Sequence, residues 1–145
     1  MNKKIAVIIV CIIFISIVTV AFLTGVKADN SYISGNMMLE QALKQKQRLV
    51  VADFYVNWCG YCRRFAPILH DLKDEYKDKY IFVFVNCEDP KNEKYVKDFY
   101  IPAYPSLYLI NPTNNNRVLA SQDAYGDSNS LRIEFNKFLS ENNIK

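Results

Sequence analysis

Along the chain, apolar residues fall into two kinds of run: short near-continuous blocks of β-forming residues, and longer stretches in which apolar positions recur every three or four residues. Leu49–Val56 and Tyr80–Cys87 are of the first kind, which predicts strands buried on both faces. Cys59 to about Lys77 is of the second kind. Cys62, Phe65, Leu69, Leu72 and Tyr76 form one stripe, which predicts a long helix with Pro67 as a kink inside it. Shorter helices are predicted over Asn36–Gln47 and Pro90–Tyr100. In the first, Met38, Leu39, Ala42, Leu43 and Gln45 lie on or beside one side, packed at a sheet edge; in the second, Tyr95, Val96 and Phe99 point inward. Ser106–Ile110 and Arg117–Ala120 flank the Asn-rich segment 111–116, which holds Pro112, and predict a hairpin. Ser128–Asn142 is the last helix, with Leu131, Phe135, Phe138 and Leu139 inward. Asn30–Gly35 is polar, with a short edge strand at Tyr32–Ile33. This order of elements predicts an α/β fold: a mixed central sheet with helices on both faces.

The first residues have a different pattern. Ile5 to Val26 is uncharged and follows Lys3 and Lys4. As a helix it would span roughly 33 Å at about 1.5 Å per residue, enough to cross a bilayer core. The basic side precedes the run, so the remainder is expected on the far side of the membrane. Residues 1–28 are either a signal peptide, with Val26-Lys27-Ala28 near the cleavage site, or a retained signal-anchor. Cys11 reads as apolar filler within the run, because Val10 stands where a lipoprotein site needs a small residue. The division is then 1–28 signal peptide or anchor, 29–35 linker, 36–145 folded domain. The expected location is periplasmic or otherwise extracytoplasmic, anchored or exported, in a redox-controlled compartment. If uncleaved, residues 5–26 would contact the membrane.

Charge narrows the partners. Of 18 basic residues, Lys3, Lys4 and Lys27 lie in the first 28 positions, which hold no acid; the rest leaves 15 basic against 15 acidic, so the domain is neutral. A nucleic-acid partner is therefore not expected, since phosphate binding needs a basic footprint. Half of the chain is apolar and 14% is aromatic, enough for a packed core rather than disorder.

The chemistry concentrates in Trp58-Cys59-Gly60-Tyr61-Cys62, where a buried strand gives way to a helix. At a helix start, Cys59 would meet unpaired backbone N–H groups and the positive end of the helix dipole. Both favour the thiolate, which is the attacking species. Cys62, three residues on, shares that helical face within disulfide reach. Cys59 is thus expected to be exposed and nucleophilic, and Cys62 more buried and resolving. A half zinc site would need two more ligands. Only Cys87 and His70 remain as candidates, and His70 lies off the apolar stripe and should face water, so no metal is expected. A purely structural disulfide is the other alternative. Asp53, six residues before Cys59 in an apolar strand, is costly unless it has a task; burial should raise its pKa and make it a proton acceptor near neutral pH. Its alternative is a strand-edge acid paired with a Lys. Tyr104-Pro105 precedes a strand, a place suited to a proline and compatible with a cis bond. Arg63 and Arg64 could lower the pKa of Cys59, contact a substrate, or form a solvated helix face; Trp58 and Tyr61 could form an apolar lip around Cys59; Cys87 reads as a small buried residue.

On Asp53-Phe54, Trp58-Cys59-Gly60-Tyr61-Cys62, Pro67 and Tyr104-Pro105, in that order and spacing, residues 36–142 resemble the thioredoxin family. The resemblance implies a thioredoxin fold. It implies that Cys59 attacks a substrate disulfide, that Cys62 releases the product, and that Asp53 assists proton transfer at Cys62. Pro105 would be cis and face the dithiol, and the backbone of Tyr104 would pair with the substrate strand. The substrate-binding surface would comprise Trp58, Gly60, Tyr61, Tyr104 and Pro105. Two departures bear on redox potential: Gly60-Tyr61 stands where cytosolic thioredoxins have Gly-Pro, and Phe84 stands where the family has a lysine near the buried acid. The expected function is a thiol–disulfide oxidoreductase, a reductase before an oxidase or isomerase, needing no cofactor. Its partners would be protein or peptide disulfides and a redox partner protein that could be membrane-embedded. A non-catalytic thioredoxin-like binding module is the alternative from another class.

Overall fold

The computed structural model describes residues 38–142. The elements run β1 (Leu49–Tyr55), β2 (Tyr80–Asn86), β3 (Ser106–Asn111) and β4 (Asn116–Leu119), with helices α1 (Leu39–Lys44), α2 (Gly60–Tyr76), α3 (Glu93–Asp98) and α4 (Ser128–Glu141). Short 3-10 turns at Pro90–Asn92 and Gln122–Gly126 complete them. The sheet order is β2-β1-β3-β4; β2 is parallel to β1, while β1–β3 and β3–β4 are antiparallel. The predicted mixed sheet is therefore present. The predicted leader, the linker and the edge strand at Tyr32–Ile33 lie outside the described residues. Among the described residues no helix is long and apolar enough to cross a membrane.

β1 is buried at every position, as its continuous apolar run predicts, because helices cover both sides of the sheet. Side chains alternate along it. Leu49 and Val51 face α2 and α4, where they meet Phe65, Leu69, Leu72 and Phe135. Val50, Ala52 and Phe54 face Leu39, Ala42 and Phe99 from the side of α1 and α3. Tyr80 ties the larger core together, donating its hydroxyl hydrogen bond to the Phe135 carbonyl at 2.8 Å. Phe135 is fully buried against Tyr76, Tyr80 and Phe82, so Phe135→Ala would leave a cavity and cost about 3–5 kcal/mol.

Three boundaries differ from the sequence pattern. α1 ends at Lys44 rather than Gln47, because Gln45 to Arg48 offer no apolar side to pack and the backbone turns extended at Gln45 to enter β1. Met38 is exposed; Leu39 and Ala42 carry the burial. The predicted helix Pro90–Tyr100 is a 3-10 turn followed by α3, which ends at Asp98, two residues before Tyr100, whose φ of 49° is left-handed. A tyrosine there is strained by roughly 1 kcal/mol. The segment Gln122–Gly126, left unassigned by periodicity, forms a 3-10 turn.

The topology sets up a convergence. β1 and β3 are antiparallel neighbours with Phe54 opposite Ser106, so the C-terminal end of β1 lies beside the start of β3. The turn that opens α2 and the Tyr104-Pro105 segment are thereby brought together.

Candidate active site

Cys59 is extended, with φ −74° and ψ 110°, and is the N-cap of α2: its sulfur accepts a hydrogen bond from the Cys62 N–H at 3.1 Å. Cap geometry thus presents the sulfur to the orphan donors of the first turn, which holds no acidic residue. Cys59 and Cys62 are joined by a disulfide across 5.3 Å between Cα atoms. The bond Tyr104–Pro105 is cis, and the Tyr104 carbonyl oxygen lies 3.5 Å from the Cys59 sulfur. The turn before the cap is pinned by the Asn57 N–H, which donates to the Glu88 carboxylate at 2.7 Å.

Cys59 is more accessible than Cys62, but it is not the exposed residue the sequence suggested: it is 5% exposed and Cys62 0%. The Tyr104 backbone covers it from one side. Trp58 and Tyr61 stand out beside it, 70% and 72% exposed, with the Trp58 ring edge-on to Tyr104. Gly60 separates the two. A Cβ there would meet the guanidinium groups of Arg63 and Arg64 at 3.8 Å, an ordinary contact, so both arginines fold back toward the start of the helix.

Asp53 is wholly buried, and neither carboxylate oxygen has a hydrogen-bond partner among the described residues. Burial pushes its pKa up to about 8. It is not a strand-edge acid paired with a lysine. Its direct partner across β1–β2 is Phe84, so an aromatic ring borders the acid. The His70 ring stacks on Phe84 with centroids 5.3 Å apart, which corrects its expected place in water: an apolar ring at the sheet surface gives the imidazole a packing partner. Cys87 is also differently placed. It is half-buried and packs against the cluster of Tyr55, Val56, Cys59 and Cys62. Burial pushes its thiol up to about 11, with a hydrogen bond from Tyr104 acting against that rise. Among the described residues no group of three or more His, Cys, Asp and Glu is placed to hold a metal ion.

Sequence reasoning missed one wall of the site. A cleft of about 590 Å³ opens beside the dithiol, lined by Tyr61, Arg64, Phe65, Tyr104, Pro105 and Tyr125 among others. Tyr125 comes from the unforeseen 3-10 turn. Its ring stacks on Phe65 at 4.5 Å, and its hydroxyl accepts from the Leu107 N–H at 2.9 Å and donates to the Ala120 carbonyl at 3.3 Å. The pair Tyr125-Gly126, between a strand and a capped helix, was the one local signal for it.

Comparison with known proteins agrees with this geometry. The thioredoxin family model matches residues 33–132. A thioredoxin of Buchnera aphidicola subsp. Acyrthosiphon pisum is 35% identical over 103 residues, covering 71% of this chain and 86% of that protein. Thioredoxin-T of Drosophila melanogaster is 33% identical over 75 residues, covering 52% of this chain; the chain spans about half the length of that relative, 46%. Among solved structures, the Trx4 domain of ERdj5 is similar with a TM-score of 0.55 and 27% identity, over 69% of this chain and 86% of that one. The chain belongs to the thioredoxin family and carries that family's disulfide-oxidoreductase site in Cys59 and Cys62.

Proposed function

We propose that this protein reduces disulfides of protein substrates outside the cytosol, tethered or exported through its N-terminal apolar run. The observation that carries the chemistry is the Cys59 sulfur at the N-cap of α2, hydrogen-bonded by the Cys62 N–H.

In the dithiol form that hydrogen bond and the helix dipole stabilise the Cys59 thiolate. The thiolate attacks one sulfur of a substrate disulfide; the other substrate sulfur leaves as a thiolate and takes a proton from water. Cys62 then gives up its proton and attacks the Cys59 sulfur of the mixed disulfide. The second substrate sulfur departs and is protonated, and the Cys59–Cys62 disulfide remains. Two electrons have passed to the substrate. Asp53, with a pKa near 8, is suited to accept the Cys62 proton at neutral pH, since a base poised near the working pH is the most effective. The Tyr104 backbone and the Trp58 and Tyr61 rings would hold the substrate segment over the sulfur. A redox partner protein returns the dithiol by the reverse exchange.

Location is supported by Lys3 and Lys4 preceding the uncharged run Ile5–Val26. Membrane fractionation of the full chain tests it: recovery from the soluble cytosolic fraction would oppose the assignment. For the chemistry, the purified dithiol form should reduce insulin disulfides. The potential of the Cys59–Cys62 pair fixes the direction. A value near about −270 mV fits a reductase, and one near about −120 mV fits an oxidase instead.

A further inference from the structure

We propose that Arg64 makes the cleft beside the dithiol selective for a substrate segment that carries an acidic residue next to the large apolar or aromatic side chain it places near the reacting cysteine. This rests on the proposed action on protein disulfides and names the substrate class.

Position is the first ground. Tyr61, Tyr104 and Pro105 line the cleft, and the Tyr104 carbonyl lies 3.5 Å from the Cys59 sulfur. Whatever fills the cleft therefore lies within a residue or two of the cysteine under attack. In an extended segment, side chains two residues apart point the same way, about 7 Å from one another. A segment laid along Tyr104 with its cysteine over Cys59 would lower the side chain two residues away into the cleft.

Shape and polarity are the second. At about 590 Å³ the cleft is within the range of small ligand sites, with room for a large side chain and its neighbouring backbone. Its deep wall is the stacked pair Phe65 and Tyr125, with Ile68 beside it. Tyr125 is fixed there by both of its hydroxyl hydrogen bonds, so the wall is pre-formed.

Charge is the third. The Arg64 guanidinium lies 4.4 Å from the centre of the Tyr61 ring at the cleft, and no carboxylate among the described residues pairs with it. Arg63 does not line the cleft; it gives one N–H to the Asn57 carbonyl. Arg132, by contrast, is paired with Glu75. A guanidinium group left without an acid in the lining of an apolar cleft complements a segment that is apolar where it enters and anionic where it leaves.

Arg64 could instead act only on the Cys59 thiolate. That role would change turnover of every substrate alike, so a ratio between substrates separates the two. The experiment measures kcat/KM of the full chain for three disulfide-linked peptide dimers, in which one glycine separates the cysteine from a Phe-Glu, Phe-Lys or Ala-Glu pair placed after it, or from the mirrored pair placed before it, so that Phe or Ala stands two residues from the cysteine. The Phe-Glu dimer, in one of its two orientations, should be preferred over Phe-Lys by about fivefold or more, and over Ala-Glu by about tenfold. The first ratio should shrink with added salt. Arg64→Glu should reduce or invert the Glu-to-Lys ratio, and Arg64→Lys should keep its direction. Equal kcat/KM across the peptides in both orientations, or a ratio unmoved by Arg64→Glu, would overturn the subsite. Hydroxyethyl disulfide, small and neutral, serves as a control with the unaltered chain. If it and every peptide go unreduced, the oxidoreductase assignment itself fails and the subsite with it; if it is reduced while the peptides show no preference, only the subsite fails.

Discussion

Helices α2 and α4 begin under the same physical demand and meet it with different chemistry. Each exposes backbone N–H groups that no helical carbonyl can reach. At α4 the demand is met by Asp127, whose carboxylate accepts from the N–H groups of Asn129 and Ser130 at 2.8 and 3.0 Å and from the Ser130 hydroxyl. Those hydrogen bonds hold its pKa below the usual range, so it stays an anion at neutral pH and caps the helix. At α2 the acceptor is the Cys59 sulfur, with a single N–H donor at 3.1 Å and no acid in the first turn. The same field that locks a carboxylate in place would favour the thiolate of a reduced Cys59, the form the proposed attack needs. Beneath α2 lies a second contrast. Asp127 is satisfied several times over, whereas the carboxyl of Asp53 has no hydrogen-bond partner for either oxygen among the described residues. One aspartate caps a helix; the other is the proton acceptor of the proposed mechanism.

The comparison can be broken at its largest effect first. Cys59→Ser should lower disulfide reduction by at least about a thousandfold. Its stability, measured in reductant, should hardly change, because serine is itself a good N-cap. A helix that melts in this variant would show that the sulfur is needed for structure rather than chemistry.

Asp53→Asn comes next. The folded-state pKa of about 8 lies above the value near 4 expected in the unfolded chain. The folded state therefore prefers the protonated acid. That stability is fully present below about pH 4 and is lost as pH rises toward about 8. Asparagine removes the loss, so the variant should be more stable than the parent by on the order of 2–4 kcal/mol at pH 8 and little different at pH 4. Urea titrations at the two pH values check this. The same substitution should slow release of the mixed disulfide by about tenfold or more, and the first attack much less. Equal slowing of both steps would remove Asp53 from the proton transfer.

Asp127→Ala should lower Tm by several degrees at neutral pH while leaving insulin reduction unchanged, the mirror image of Cys59→Ser. Its effect should fade as pH falls through the depressed pKa of the carboxylate, where the parent also loses the anion. The smallest effect is expected at Arg132→Ala. Its ion pair with Glu75, 2.8 Å long, links α4 to α2 on a half-exposed surface. Tm should drop by only about 1–2 °C, and the difference should vanish in high salt.

Much of this was legible in the sequence because the signals were local. The blocks at Leu49 and Tyr80 gave strands within a residue or so of their observed ends, and the stripe from Cys62 to Tyr76 is buried at all five positions. The helix start at Cys59 followed from the same stripe. What depends on convergence in space was not legible. No spacing rule brings Cys87 into the cluster around the dithiol, or the His70 ring onto Phe84. The partial cover on Cys59 comes from Tyr104, 45 residues away, and periodicity cannot see it. Tyr125 was missed because its 3-10 turn is too short to show a repeat, although it builds the wall of the cleft.

The central claim is that Cys59 attacks and Cys62 resolves. Incubating the reduced Cys62→Ser variant with a disulfide substrate and mapping the adduct by mass spectrometry tests it most directly. A stable mixed disulfide through Cys59 should accumulate, and the Cys59→Ser variant should form none at a comparable rate. An adduct that forms as readily through Cys62 in the Cys59→Ser variant would contradict the account.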